Sequence, residues 1–352
     1  MKFFHIADTH LGAIPDAGFA WSEERRSEIW ESFRSVVAKA DREEVDLLLI
    51  AGDLFHRQPL MRELKEVNYL FSTLKKTKVV FIIGNHDYLK VDSYYLDFPW
   101  SENVTCLRGK ECESVVFEDL DTEVYGLSYH TREIKEPKYN DLQPEKKAGF
   151  SILLGHGGDA KHIPIDRKKL LLSGFDYIAL GHIHRPEMIE PDRMAYAGAL
   201  EPIDSNDTGE HGFWVGEITK AFGQVQFCPL RKCQYVHETI QLSSQMTNMA
   251  VQTIVKNLLA NRKPYELYKI FLTGTLNADT ELDLDWIRNQ EAVVDVICSL
   301  RQDYDYDRLR EENEQQLLGR FIAAMQSQGE SEVYKKALEI GVEALLSAKL
   351  DR

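Results

Sequence analysis

Asp46-Leu47-Leu48-Leu49-Ile50-Ala51-Gly52-Asp53 runs through five apolar residues and stops on a glycine and a carboxylate. Its length suits a strand of a buried sheet. The same construction recurs at residues 3–7, 79–83, 151–154 and 177–180, each followed at once by Gly, Asp, Asn or His. Between the first two strands, residues 23–43 place Ile29, Phe33, Val36, Val37 and Ala40 at helical spacing. Between the second and third, residues 63–75 do the same with Leu64, Val67, Leu70, Phe71 and Leu74. This βαβαβ opening predicts sheet layers flanked by helices. Residues 194–200, 212–218 and 224–230 carry strand patterns with no long helix between them, so a second, mainly antiparallel sheet is expected to pack on the first.

Outward from this core, 352 residues favour one large domain with smaller additions, and 43% hydrophobic residues exclude a disordered chain. No apolar run approaches the ~18–20 residues that span a bilayer. Met1-Lys2-Phe3-Phe4-His5-Ile6-Ala7-Asp8 reads as a short buried strand rather than a secretory segment. Cys106, Cys112, Cys228, Cys233 and Cys298 form no C-x-x-C pair. That argues against a disulfide framework or structural zinc and for a reducing compartment, the cytoplasm. The net charge of −15 opposes a nucleic-acid partner on its face, although bound metal ions can make a site locally cationic.

Three segments are expected: a catalytic domain over residues 1–235, a small α+β unit over 236–302 and a helical tail over 303–352. In the second, 236–242, 267–275 and 292–300 read as strands and 246–259 as a helix. In the tail, Leu309, Leu317, Leu318, Phe321, Ile322 and Met325 form one apolar stripe, and Val333, Leu338, Ile340, Val342, Leu345 and Leu346 a second. The stripes fit either a hairpin packed on its own domain or an amphipathic pair that docks on a partner helix.

Five polar clusters sit at the ends of apolar runs: Asp8-Thr9-His10, Gly52-Asp53, Gly84-Asn85-His86-Asp87, Gly155-His156-Gly157 and Gly181-His182-Ile183-His184. Ligands of open α/β sheets collect at the carboxyl ends of strands, so the five can converge. Asp and Asn oxygens with neutral His nitrogens suit Mn, Fe or Zn better than Ca or Mg. Residues i and i+2 of an extended segment point the same way, so both members of D-x-H and H-x-H can face one site. Any cluster alone reads equally well as a polar turn; the joint occurrence carries the signal. Asp159 and His162 lie near the fourth cluster and could compete as ligands. His5 reads as a packed residue behind the site, and His130, His211 and His237 as surface or loop residues. Arg25-Arg26, Arg62 with Lys65, and Arg167-Lys168-Lys169 are solvated helix faces or, if the substrate is DNA, contacts to its backbone.

These motifs resemble the calcineurin-like metallophosphoesterase superfamily (D-x-H, G-D, G-N-H-D/E, H, G-H-x-H). The resemblance implies a four-layer α/β/β/α sandwich of the α+β class with a small capping domain and a helical tail. It implies that Asp53 bridges two divalent ions, that Asp8, His10 and His184 complete one, and that Asn85, His156 and His182 complete the other. His86 then stands over the substrate phosphate with Asp87 as its orienting partner. His56 resembles a second histidine that positions the phosphodiester. Within the superfamily, residues 6–12, 51–56, 181–186 and 198–202 look like SbcD-like DNA-repair nucleases, over roughly residues 1–218. That likeness implies a manganese-dependent 3′→5′ exonuclease and single-strand endonuclease using a bridging hydroxide. It also implies a homodimer working with an SbcC-like coiled-coil ATPase, for which this tail is short. Rival readings are a phosphatase or cyclic-nucleotide phosphodiesterase on the same scaffold, and a non-catalytic interaction module.

Overall fold

The computed structural model describes residues 1–219, 223–230, 232–329 and 331–350. Residues 330, 351 and 352 of the expected tail lie outside the described residues. The chain forms two compact units, Met1–Val236 with Lys263–Tyr268, and His237–Arg262 with Lys269–Arg352.

The first unit opens as β1 (Lys2–Ile6), α1 (Ser22–Arg42), β2 (Leu47–Ala51), α2 (Met61–Ser72), β3 (Lys78–Ile82) and β4 (Val104–Leu107). It continues through β5 (Glu113–Phe117), β6 (Thr122–Gly126), β7 (Phe150–His156), α3 (Arg167–Leu171), β8 (Tyr177–Gly181), β9 (Glu187–Glu190) and β10 (Met194–Tyr196). β11 (His211–Ile218) and β12 (Gly223–Leu230) complete its two sheets. One sheet has the order β12-β11-β1-β2-β3-β4 and the other β5-β6-β7-β8-β10-β9.

Strand periodicity assigns the layers. Leu48, Ile50, Val79 and Phe81 point to one face and pack with Ile29, Phe33 and Val36 of α1 and with Leu64, Val67 and Phe71 of α2. Their neighbours Leu47, Leu49, Val80 and Ile82 point the other way, against Val124, Ile152, Leu154, Tyr177 and Ala179 of the second sheet. The far face of that sheet, with Leu153, Ile178 and Leu180, is covered by Leu170 of α3 and by Phe175. The layers are therefore helix, sheet, sheet and helix, an α+β sandwich. Truncating any of these buried Leu, Ile or Phe side chains to Ala costs about 2–5 kcal/mol.

The expected antiparallel second sheet is corrected. β11 and β12 form an antiparallel hairpin that extends the first sheet beside β1. In the second sheet β6, β7, β8 and β10 are mutually parallel, and only the edge strands β5 and β9 run antiparallel. The physical reason is that β6 and β8 are buried along their whole length, on both faces, which is where parallel strands belong. The one helix between β7 and β8, α3, has only five residues and leaves little periodic signal.

In the second unit, β13 (Gln234–Leu242) and β14 (Glu266–Asn277), which both begin within the first unit's residues, form a sheet with β15 (Val293–Asp303) in the order β13-β14-β15. α4 (Asn248–Ala260) and α5 (Leu284–Arg288) lie between these strands in sequence, and α6 (Tyr306–Glu312), α7 (Leu317–Gln326) and α8 (Glu332–Leu350) follow. Leu318 and Ile322 of α7 pack on Leu338 and Val342 of α8, so the two stripes meet in a hairpin. Leu317, Val333 and Ile340, counted in those stripes, stand exposed instead. No helix among the described residues is long and apolar enough to cross a membrane.

Candidate metal centre

β1, β2, β3, β7 and β8 all end at one edge of the sandwich, and their last residues meet there. Asp8, Asp53 and Asn85 come from the first sheet, and His156, His182 and His184 from the second. Cross-sheet bonds pin the two halves: the His156 ring Nδ1 donates to the Ala51 carbonyl at 2.9 Å, and the His182 backbone N–H donates to both Asp8 oxygens at 3.1 and 2.8 Å. The Asp53 Oδ1 accepts the His86 backbone N–H at 2.8 Å.

Four of these residues have backbones that L-residues rarely adopt: Asp8 (φ 48°), His10 (45°), Asp53 (48°) and His182 (93°). Each such residue costs of order 1–3 kcal/mol, and such strain gathers at functional sites. Two glycines make room for the site. A Cβ at Gly84 would lie 2.1 Å from Asp53 Oδ1, and one at Gly52, itself at φ +90°, would lie 2.4 Å from His156 Nδ1.

The donor atoms face one another. The Asp53 Oδ2 is 3.4 Å from His156 Nε2 and 4.0 Å from His10 Nε2, so one carboxylate oxygen stands between the two halves of the cluster. His10 Nε2 is 3.0 Å from His184 Nε2. Asn85 Oδ1 is 2.8 Å from His156 Nε2 and 3.1 Å from His182 Nδ1.

Three of the cluster's four histidines have an acceptor at the outward nitrogen, which fixes the tautomer of the neutral ring. His156 Nδ1 meets the Ala51 carbonyl, His184 Nδ1 meets Asp207 Oδ2 at 3.1 Å, and His182 Nε2 meets Asp159 Oδ2 at 2.8 Å. In the neutral, metal-ready rings the inward nitrogens are lone pairs aimed at the Asn85 and Asp53 oxygens and at the His10 nitrogen. That arrangement is repulsive on its own and suits cations placed among the donors; it also reproduces the outer partners that metal-bound histidines use. The residues fit divalent metals on this chemistry. Asp8 with His10 and His184, and Asp8 with Asp53 and His156, each place three ligand atoms within 4.8 Å of one another.

Electrostatics follow from burial and proximity. Burial pushes the Asp8 carboxyl up to about 6, against the pull of His156 and His184. Burial would raise Asp53 too, but His156 and His10 outweigh it and hold this carboxylate well below its usual range. Burial would lower His156, yet Asp53 and Asp8 lift it to about 9. Burial also opposes the charge on His184, which Asp207 and Asp8 lift to about 9. His182, dominated by burial and by its neighbour His156, is drawn down to about 4.

His86 and His56 are half-buried at the rim beside His10, with ring centroids 4.8 Å (His10–His86) and 5.1 Å (His56–His86) apart. His86 Nδ1 donates to the His56 carbonyl at 3.2 Å, leaving Nε2 without that bond. The expected pairing of Asp87 with the His86 ring is corrected: the Asp87 carboxylate accepts the Gly84 N–H (3.0 Å), the Phe55 N–H (3.1 Å) and the Tyr95 hydroxyl (2.8 Å). Consecutive residues of this turn point apart, and the buried side chain is drawn to three unpaired donors beneath the loop.

Asp207 had no sequence signal beyond a turn-forming stretch. Asp159 and His162, read as competing ligands, form with His182 a further group whose ligand atoms lie within 4.8 Å of one another, with Asp159 Oδ2 2.8 Å from His182 Nε2 and from His162 Nδ1. His5 is fully buried, 3.0 Å from the Tyr177 hydroxyl, and burial draws it down to about 3. His211, expected in a loop or at the surface, is buried, its ring against the carbonyls of Ala199 (3.0 Å) and Asp207 (3.1 Å). Arg25, offered as a backbone contact for DNA, is buried against the Pro202 carbonyl and Glu28. Arg167 is engaged by both oxygens of Glu187.

Residues 1–186, more than half of the chain, match the calcineurin-like phosphoesterase family, and the protein belongs to it. Among curated relatives, the metallophosphoesterase YhaO of Bacillus subtilis is 29% identical over 242 residues, 62% of this chain and 58% of that protein. The DNA double-strand break repair protein Mre11 of Archaeoglobus fulgidus is 31% identical over 235 residues, 60% of this chain and 52% of that protein. Mre11 of Methanocaldococcus jannaschii is 29% identical over 219 residues, 59% and 58% respectively. The chain thus spans about half the length of the curated relatives it matches.

Proposed function

We propose that this protein is a metal-dependent phosphodiesterase that cuts DNA, the nuclease of an SbcD-type repair complex. The observation that carries the reading is the donor cluster, in which three histidines have outward nitrogens tied off and inward nitrogens turned into the site, those of His156 and His182 toward Asn85 and that of His184 toward His10. Asp53 would be shared between two ions, with Asp8, His10 and His184 holding one and Asn85, His156 and His182 the other. Divalent metal, manganese by family resemblance, supplies Lewis-acid charge against the phosphoryl oxygens. DNA as substrate is supported by the Mre11 relatives, which are named as repair proteins.

The chain's own residues orient and protonate. His86, with Nδ1 fixed by the His56 carbonyl, turns Nε2 to the substrate to stabilise developing charge or protonate the leaving oxygen. His56 shares the rim and positions the diester. Asp87 acts on the loop that carries Asn85 and His86. The SbcD-like resemblance adds 3′→5′ exonuclease and single-strand endonuclease action, a homodimer, an SbcC-like ATPase partner and a cytoplasmic setting.

The test is hydrolysis, with manganese, of end-labelled single-stranded DNA beside a chromogenic bis-aryl phosphate. Both are expected to be cut, and His86→Ala to slow both about 100-fold or more, the scale of a lost acid. Small-ester turnover with no DNA cutting overturns the nuclease reading in favour of a phosphatase or cyclic-nucleotide phosphodiesterase.

A further inference from the structure

A cleft of about 530 Å³ opens on the rim of the metal cluster, lined by Asn85 and His86 on the site's side and by His56, Arg57, Gln58, Tyr88, Lys90 and Arg132 beyond. In a chain of net charge −15, this lining holds three cations and no carboxylate. The cations are not equivalent. Arg57 is gripped through two bonds, at 3.0 and 2.8 Å, by Glu63, which also accepts the Leu60 N–H at the start of α2. Its charge is largely answered, and it forms a fixed wall. Lys90 and Arg132 are exposed and pair with no carboxylate among the described residues. Lys90 Nζ lies 5.5 Å from the Tyr88 ring centroid, a contact that keeps the ammonium in the cleft while leaving its donors open. Gln58 Nε2 donates to the Tyr88 carbonyl at 2.6 Å, tying together the two loops that bear the cleft.

We propose that this cleft is a subsite for the phosphodiester next to the one being cut, with Lys90 and Arg132 as the residues that hold it. The proposal rests on the phosphodiesterase reading above and narrows its substrate to a strand with at least two consecutive phosphates. A small diester carries one phosphate, at the site's side of the cleft; a strand also places a second phosphate toward Lys90 and Arg132. Unpaired cations beside a site within an acidic protein concentrate the field where a second phosphate must lie. Arg presents a fork to phosphate oxygens and Lys a point charge, so both are suited to a backbone contact that is blind to base identity.

The test measures binding and cutting separately on the full chain with manganese. Binding is read by anisotropy of a labelled, phosphorothioate-linked thymidylate hexamer across a salt series. The Lys90→Ala/Arg132→Ala double variant is expected to raise Kd at least tenfold and to lower the salt slope by about 0.7, the share of the one single-strand phosphate the two residues hold. Lys90→Arg should bind as the native chain does. In parallel, the ratio of kcat/KM for a single-stranded oligonucleotide to that for a bis-aryl phosphate should fall at least tenfold in the double variant. A Kd within twofold of native overturns the subsite, and the nuclease reading survives if the native chain cuts the strand. Cleft-dependent binding with no cutting by the native chain upholds the subsite and overturns the nuclease reading.

Discussion

The Tyr95 hydroxyl donates to the Asp87 carboxylate at 2.8 Å, and this bond turns Asp87 away from the neighbouring His86. With the Gly84 and Phe55 amides on the same carboxylate, Asp87 is the anchor beneath the Asn85–His86 turn. Asp87→Ala leaves three buried donors without an acceptor, and each costs about 1–3 kcal/mol. Tyr95→Phe removes a single donor and should cost about 1 kcal/mol. His86→Ala, at the rim, should leave stability within about 0.5 kcal/mol. Urea titrations of the three variants rank these losses, and an Asp87→Ala variant as stable as His86→Ala would refute the anchor.

The partners behind the histidines should tune ion affinity. Asp207 fixes His184 and Asp159 fixes His182. Replacing either by Asn keeps a side-chain oxygen but removes the charge that makes the ring a stronger ligand. Manganese affinity should fall about 10–100-fold in each case, read by calorimetric titration of the purified protein. Equal affinity in Asp207→Asn and native protein would separate Asp207 from the metal.

Gly84 is held to its identity by space. Gly84→Ala places a methyl 2.1 Å from where Asp53 Oδ1 now lies, so the carboxylate must shift or the turn must open. Gly223, with no atom within 4 Å of an added Cβ, is the matched control. Gly84→Ala should lose manganese binding at least tenfold by calorimetry while Gly223→Ala does not; matching isotherms would remove Gly84 from the site's design.

Glu201 makes stability pH-dependent away from the metal cluster. It is buried against Ser32, whose hydroxyl donates to it at 2.5 Å, and burial lifts its carboxyl from 4.5 to about 7 despite that bond and Arg25. The folded chain therefore keeps a proton that the unfolded chain has released. This group's contribution falls as pH rises from 4.5 to about 7 and is flat above, by about 3 kcal/mol at most. Glu201→Gln should be more stable relative to native at pH 8 than at pH 5 in urea denaturation; a pH-independent difference would refute the assignment.

Much of this was readable in the chain, and the reasons for the misses are physical. Short apolar runs that end on Asp, Asn or His announce strand ends, because burial and polar chemistry change within one residue. Strand direction is not announced. Residues 150–156 and 177–181 read the same in a parallel or an antiparallel sheet, and the crossover helix that would decide it has only one turn and a half of periodic pattern. Asp207 and Asp159 act through partners 23 residues away in each case, so no local spacing marks them. Asp87 departs from what the resemblance implies because neighbours on a turn diverge, so its carboxylate meets Gly84, Phe55 and Tyr95 rather than the His86 ring. The left-handed backbones of Asp8, His10 and Asp53 leave only a weak signature in residue type, since Asp and His are enriched there yet most still occupy ordinary regions.

The donor residues are shared between two sheets, three strand ends from one and two from the other. Ions bound at that seam would act as a rivet: the same coordination that equips the site would also brace the sandwich at one edge. Chelation should then loosen the carboxyl ends of all five strands, β1, β2, β3, β7 and β8, while leaving their amino ends quiet, a pattern that hydrogen–deuterium exchange reads strand by strand.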